Sequence, residues 1–386
     1  MPERNGSLFT ALYRNELEKL WAHRGKSLII AFIVIVMGGS LLAWHSNQQT
    51  LQNVNSTILA EQQQVTALRH QELHASGKQK QQIASEIHST QNFIRQIKAQ
   101  NGAYNVKQEI TQLKVSVAHM PLSQRGPTLE RLAQYRVMKA HGITGYNSGA
   151  NNGLKLVGDL FGTAVMLVFA LVAAGVSSDR VSSELEGGTW GVLLLHAPRR
   201  IPIYLAKLAA SITVIWAFMV AAALGFFGLG SALMGVGNPA IPIVVGVHLT
   251  QNSANGMLSI PVQTFHTVSQ VSYDLVALVL AMLSIAVMIA IFLALSMLTR
   301  STVFALVVSA VLVISGELSA VVAHTAGWLV VGDPAVHLPL IADWTGKLGL
   351  QFNLSSLNLT AGVAVLLIWA VVAVVVGLST ARRLDV

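Results

Sequence analysis

Three acidic residues stand in or beside long apolar stretches of the chain: Asp159, Asp274 and Glu317. A carboxylate held mid-helix in hydrocarbon costs roughly 2.5 to 3.5 kcal/mol on insertion scales, so its presence points to an ion, proton or substrate pathway. Counting about 1.5 Å per residue from the ends of the apolar runs places all three in the half of the bilayer away from the termini. Glu317 is flanked by Gly316 and Ser319, small residues that allow close helix packing. Asp274 also fits a plainer role as an interfacial acid at a helix N-terminus, where the helix dipole favours negative charge.

A second cluster of distinctive residues follows Ser177. An acidic stretch with Asp179, Glu184 and Glu186 meets Gly187-Gly188-Thr189. An apolar turn from Trp190 to Leu195 follows, then Pro198-Arg199-Arg200 and, further on, Lys207. A glycine hinge before an amphipathic turn and a proline stop after it describe a short surface helix, too small to be a domain. Such a helix is suited to pass on the motion of a docked protein.

Catalytic chemistry has no visible carrier. The chain has no cysteine, which removes disulfides, thiolate metal sites and cysteine nucleophiles. No G-x-x-x-x-G-K-[ST] pattern occurs; Gly25-Lys26-Ser27 comes nearest, with Leu20 where the first glycine is required. The H-E-x-x-H, G-x-S-x-G and EF-hand patterns are missing too, and the twelve histidines are scattered without ligand spacing. Neither a catalytic residue nor a cofactor or metal site is expected in this chain.

The elements that position these residues are apolar helices. Only 11% of the 386 residues are charged and 53% are hydrophobic, against about 25% charged in a typical soluble domain. Six stretches approach or exceed the roughly 20 residues that cross a bilayer: 28–44, 154–176, 201–234, 275–298, 303–323 and 359–378. The predicted fold is an all-α polytopic membrane protein with six transmembrane helices. Arg4, Arg14, Lys19, Arg24, Lys26, Arg180, Arg199, Arg200, Lys207, Arg300, Arg382 and Arg383 flank one side, whereas the short loops 235–274 and 324–358 carry only Lys347. The positive-inside rule therefore predicts a multi-pass protein of the cell membrane with both termini cytoplasmic. The N-terminus lacks a cleavage site after its apolar run, so the first span is expected to stay as an anchor.

Three regions outside the hydrocarbon complete the plan. Residues 1–27 are predicted to form an amphipathic interfacial helix, with Leu8, Leu12, Leu17, Leu20 and Trp21 on one broad face; a generic anchor and a helix that also meets a cytoplasmic partner both fit. Residues 45–153 are a large, Gln-rich extracellular insertion between the first two spans. Leu51, Val54, Ile58, Val65, Leu68 and Glu72 follow a 3-4 alternation, as do Ile83, Ile87, Thr90, Ile94, Ile97 and Asn101, with a turn between, which predicts a coiled-coil hairpin. Two further helices are expected over 106–118 and 129–141. Nucleic acid is not an expected partner, since Phe93, Tyr104 and Tyr135 are too sparse for base stacking. Residues 325–357, with Gly327, Pro334, Pro339 and Gly346 beside Trp328 and Trp344, fit a re-entrant segment or an ordinary external loop.

The loop after the second span, with Glu184 or Glu186, Gly188-Thr189, the apolar run to Leu195, Pro198-Arg199 and Lys207, resembles the corresponding loop of ABC-2 type permeases, the membrane subunits of ABC exporters. The six spans, the amphipathic N-terminus and cytoplasmic termini resemble that family too. The resemblance implies a complex of two permeases, here a homodimer, with two ABC ATP-binding subunits that hold the ATP and magnesium. It also implies that residues 177–207 form a coupling loop docked in the ATPase and that 325–357 dip back from outside. The large insertion departs from the smallest members, and an envelope partner for it is one reading. Exported drug, peptide, lipid-like cargo and sodium all fit. Outside the family, the chain fits a membrane-anchored sensor or scaffold with an external coiled coil, or a stand-alone secondary transporter, for which inverted repeats are expected but not seen.

Overall fold

The computed structural model describes residues 3–99, 104–120, 126–143, 145–146, 151–190, 200–247, 250–251, 258–259, 266–322, 327–352 and 354–383. The chain opens with one uninterrupted helix, α1 (Glu3–His74), 72 residues long and about 108 Å from end to end at 1.5 Å per residue. The predicted boundary between an interfacial helix and the first span at residues 27 and 28 does not exist as a break. The reason is local: between Trp21 and Leu28 only Gly25 is a weak helix former, and a single glycine costs about 1 kcal/mol, too little to stop propagation. Past the apolar run the helix continues into the Gln-rich segment. There α2 (Gly77–Ala99) folds back along it after Gly77, whose φ of +61° is readily adopted by glycine. Val65 and Leu68 of α1 meet Ile87 and Ile94 of α2 in a buried seam, while Leu51 stays exposed.

A small unit follows. Strand β1 (Tyr104–Asn105) leads into α3 (Val106–His119), whose N-cap Asn105 accepts from the Lys107 amide. Next come α4 (Gly126–Ala140) and β2 (Gly145–Tyr146), which pairs antiparallel with β1. Val106, Ile110, Leu113, Leu132, Tyr135 and Met138 form the core of this unit.

The predicted second span, 154–176, is divided. A short helix, α5 (Gly153–Leu160), ends at Phe161, and α6 (Thr163–Ser177) restarts after Gly162. The free amides at the start of α5 are satisfied by the Gly235 and Val236 carbonyls, and Asn152 caps Lys155. After α6 comes the five-residue α7 (Ser182–Glu186), and then α8 (Arg200–Met234). Two-stranded pairs join β3 (Pro242–Val245) to β6 (His266–Ser269) and β4 (Thr250–Gln251) to β5 (Leu258–Ser259), all antiparallel. Helices α9 (Gln270–Thr299) and α10 (Thr302–Val322) follow. Three short helices, α11 (Gly327–Gly332), α12 (Leu340–Thr345) and α13 (Lys347–Phe352), precede the terminal α14 (Leu359–Arg383).

Among the described residues six helical segments are long and apolar enough to cross a membrane: Leu8–His74, Val165–Glu186, Arg200–Met234, Gln270–Thr299, Thr302–Ser319 and Leu359–Arg383. The core centres on α9, which packs against α6, α8, α10 and α14. Its buried Ala277, Ala281, Ser284, Ala290 and Ala294 are small enough to let neighbouring backbones approach closely. Along α1, Leu12, Leu20, Leu28 and Val36 are buried, and the helix packs chiefly on α8. Gly39 lies against the Phe226 ring, leaving no room there for a side chain. Leu12, Ile203 and Ala381 belong to one apolar cluster, which brings both ends of the chain to the start of α8.

Candidate functional site

The heptad-like stripe that buries α1 contains one misfit. Leu12, Glu16 and Leu20 recur at four-residue intervals and so share a face, and Glu16 is 2% exposed between its buried apolar neighbours. On α8 the same logic puts Lys207, four residues after buried Ile203, in the interior with no exposed surface. Two opposite charges in apolar surroundings are tolerable only when paired and hydrogen-bonded.

They are paired with each other and with the segment that follows α6. Lys207 Nζ donates to Glu16 Oε2 at 3.1 Å and to Glu184 Oε1 at 2.8 Å. Arg180 Nη2 donates to Glu16 Oε2 at 2.8 Å and to the Glu16 carbonyl at 3.3 Å. Lys19 Nζ reaches Glu16 Oε1 and Glu184 Oε1, both at 3.3 Å. Beside this cluster Arg24 pairs with Asp179. Three cations face two carboxylates in the buried group, so its inventory is one positive charge in excess. Every link but the one from Lys19 to Glu16 joins different elements, namely α1, the α6–α7 segment and α8.

Further contacts fix α7 on its other side. Ser296 Oγ of α9 accepts from the amides of Val181 at 3.2 Å and Ser182 at 3.0 Å, satisfying donors that α7 leaves open. Glu186 accepts from the Thr302 amide at 2.9 Å and from its hydroxyl at 2.7 Å, which caps the start of α10. Gly188, with φ of +67°, turns the chain out of α7 in a conformation that costs any side chain roughly 1 to 2 kcal/mol. Thr189 donates to the Glu184 carbonyl at 3.3 Å. Trp190 is then buried with Ile203, Tyr204, Leu293 and Met297. Glu186, Gly188 and Thr189 are exposed, so this corner is anchored underneath and open above.

Of the residues singled out by spacing, Glu184, Glu186, Gly188, Thr189 and Lys207 therefore converge; Leu195, Pro198 and Arg199 lie outside the described residues. Glu16, Lys19, Arg24, Arg180, Ser296 and Thr302 belong to the same site and were not singled out for it, and Asp179 was read only as part of the acidic stretch. For Glu16 the signal was present, as an acid on the apolar face of its own helix.

The three acids divide into two places, and Asp159 falls on α5, outside the segments long enough to cross a membrane. Asp274 is buried one turn into α9, where Gln270 Nε2 donates to its Oδ1 at 2.7 Å. The backbone of Gly158 lies directly on it: a Cβ there would come within 2.9 Å of that oxygen, which brings the neighbouring Asp159 to the same end of the fold. Glu317 is elsewhere, exposed on α10, and lines a small cavity with Gly316, Ala335, Pro339 and Gln351. Gly316 and Ser319 do serve close packing. Gly316 abuts the Ala335 carbonyl, and Ser315 and Ser319 both donate to Asp333 Oδ2, at 3.0 and 3.2 Å.

A six-span helical protein whose main buried charge network ties the loop after its second span to its first and third spans has the build of a membrane transport component. The chain belongs to the ABC-2 transporter family: the family described as ABC-2 family transporter protein matches residues 10–385. Among curated proteins no relative matches. Membership implies pairing with an ABC ATP-binding subunit.

Proposed function

We propose that this chain is the permease of an ABC exporter, that two copies form the transport path, and that ATP is hydrolysed on separate subunits rather than here. The observation that carries this reading is the Lys207 network, because it gives the corner formed by α7 and Trp190 a stiff connection to α1 and α8. A load applied at a loosely tethered loop is absorbed locally; a load applied at one held by buried charge pairs displaces the helices it is bonded to. Residues 177–207, including Leu195, Pro198 and Arg199, are in this reading the coupling loop that docks on the ATPase. The distribution of Lys and Arg supports placing that loop and both termini in the cytoplasm.

The cargo passes outward, and its class is hydrophobic, amphipathic or cationic. Asp159, Asp274 and Glu317 are the residues we assign to its path, since intramembrane acids are costly unless they serve such a role. The α1–α2 hairpin then lies outside the cell, free to meet an envelope partner. The test is purification from native membranes in mild detergent followed by mass spectrometry. A stoichiometric P-loop protein retained with the chain is the expected result. A chain that runs alone, or with an envelope protein only, would remove the exporter reading.

A further inference from the structure

The segment 327–352 is built from three short helices packed against α9, α10 and α14. Inside it His337 and Asp343 are both completely buried. His337 Nε2 lies 2.9 Å from the Val331 carbonyl oxygen, which can only accept, so Nε2 carries a hydrogen. Nδ1 lies 2.9 Å from Asp343 Oδ2. A hydrogen bond across that gap needs one more proton, on the ring or on the carboxyl. Wherever that proton sits the pair is neutral overall: imidazolium with carboxylate, or imidazole with carboxylic acid. Without it a nitrogen lone pair faces a carboxylate oxygen in a sealed site, and a net negative charge is left there.

The surroundings are tight. A Cβ at Gly362 of α14 would come within 2.6 Å of Asp343 Oδ2 and 2.9 Å of His337 Nδ1, so bare backbone of the last span rests on the pair. The charged groups that face the imidazole are Asp343 and, further off, Asp333. Asp333 is occupied by the hydroxyls of Ser315 and Ser319 on α10 and by the Ala335 amide at 2.9 Å. The histidine thus stands between a hook on α10 and the surface of α14.

We propose that His337 and Asp343 form a single-proton latch that joins Val331 to Asp343 and so holds residues 327–352 in the fold that rests on α14, and that departure of the proton loosens the segment. Burial by itself would lower the His337 pKa, but the hydrogen bond and charge of Asp343 outweigh it and hold the pKa above the ordinary histidine value. Burial also raises Asp343, against the opposing effect of His337. A histidine raised in this way stabilises the fold fully below its unfolded pKa of about 6.5 and loses that contribution as pH rises through the folded value. The latch is closed in mild acid and opens toward alkaline pH. It needs no assumption about cargo.

The test uses the full chain in lipid nanodiscs and hydrogen–deuterium exchange of peptides from 327–352 between pH 5.5 and 9, corrected for intrinsic exchange. The expected result is a fall in protection of about tenfold above the ordinary histidine range, the scale of one charge-assisted hydrogen bond, with α9 peptides unchanged. D343N replaces the acid by an amide that donates to Nδ1 without any extra proton, so its protection is expected to be flat across the range. A flat wild-type profile overturns the proposal, as does a step of the same size in D343N. Where D343N proves unstable, H337Q supplies a group that does not titrate, and a step that survives it overturns the proposal equally.

Discussion

Replacing Lys207 by methionine keeps the stem of the side chain and deletes its charge. Lys207 has no exposed surface and donates to Glu16 and Glu184 at 3.1 and 2.8 Å. After the change Glu16 still has Arg180 at 2.8 Å. Glu184 keeps only Lys19 at 3.3 Å, and the Lys19 side chain is 35% exposed and correspondingly screened. The loss therefore falls on Glu184. Breaking a buried pair from one side costs about 3 to 5 kcal/mol, and because Glu184 retains some solvent the lower figure applies, about 3 kcal/mol. With an unfolding entropy of roughly 2.1 cal/mol/K per residue, that is a drop in Tm of about 4 °C for a chain of this size. Tryptophan fluorescence during heating in nanodiscs reads it directly.

The stronger test is charge repair. K207M/E184Q removes both members and is expected to recover most of the lost Tm, with a coupling energy of about 1.5 to 2 kcal/mol. Stimulation of the partner ATPase by cargo is expected to fall in K207M by more than the stability loss accounts for, since the corner has lost its tie to α8. Additive effects in the double variant, or an unchanged Tm in K207M, would refute the view that this network carries load.

Other outcomes follow from single contacts. Glu186→Ala removes both acceptors from the start of α10 and is expected to lower cargo-linked ATPase activity while leaving membrane insertion intact; Glu186→Gln, which keeps one oxygen for Thr302, should retain most of it. Gly362→Ala forces a methyl group into the His337–Asp343 pair and should cost about 1 to 3 kcal/mol, read as a lower Tm. Because the His337 pKa is raised, wild-type Tm should decline as pH rises from about 6.5, and this slope should be absent in D343N. An opposite slope, with stability rising toward alkaline pH, would show that other groups dominate.

Span count and family were legible in the residues because hydrocarbon imposes a one-dimensional requirement. A run of about 20 apolar residues crosses whatever it packs against, so lengths and lysine–arginine flanks could be read directly. The loop signal at Gly188 was legible for a similar reason, since glycine at a turn acts within a few residues, whereas the helix start that Glu186 caps lies 116 positions away. Helix breaks were harder to read. The start of α5 depends on the Gly235 and Val236 carbonyls, more than seventy residues away, taking up its free amides, and the continuity of α1 on nothing stopping it at Gly25.

Which charges meet was decided only by tertiary structure. Glu16 and Lys207 are separated by 191 positions, and nothing in either position names the other as its partner. Only packing α1 on α8 turns their two faces toward each other and excludes water, and the desolvation this brings is what makes Arg180, Lys19 and Glu184 necessary partners. The same holds for His337, one histidine among twelve, which acquires meaning from the seal formed by Gly362 and the carboxylate six residues on. Sequence by itself determined how many helices are long and apolar enough to cross a bilayer, because that is set by composition along a line. The fold determined where charge is buried and paired, because that is set by which faces close against each other in three dimensions.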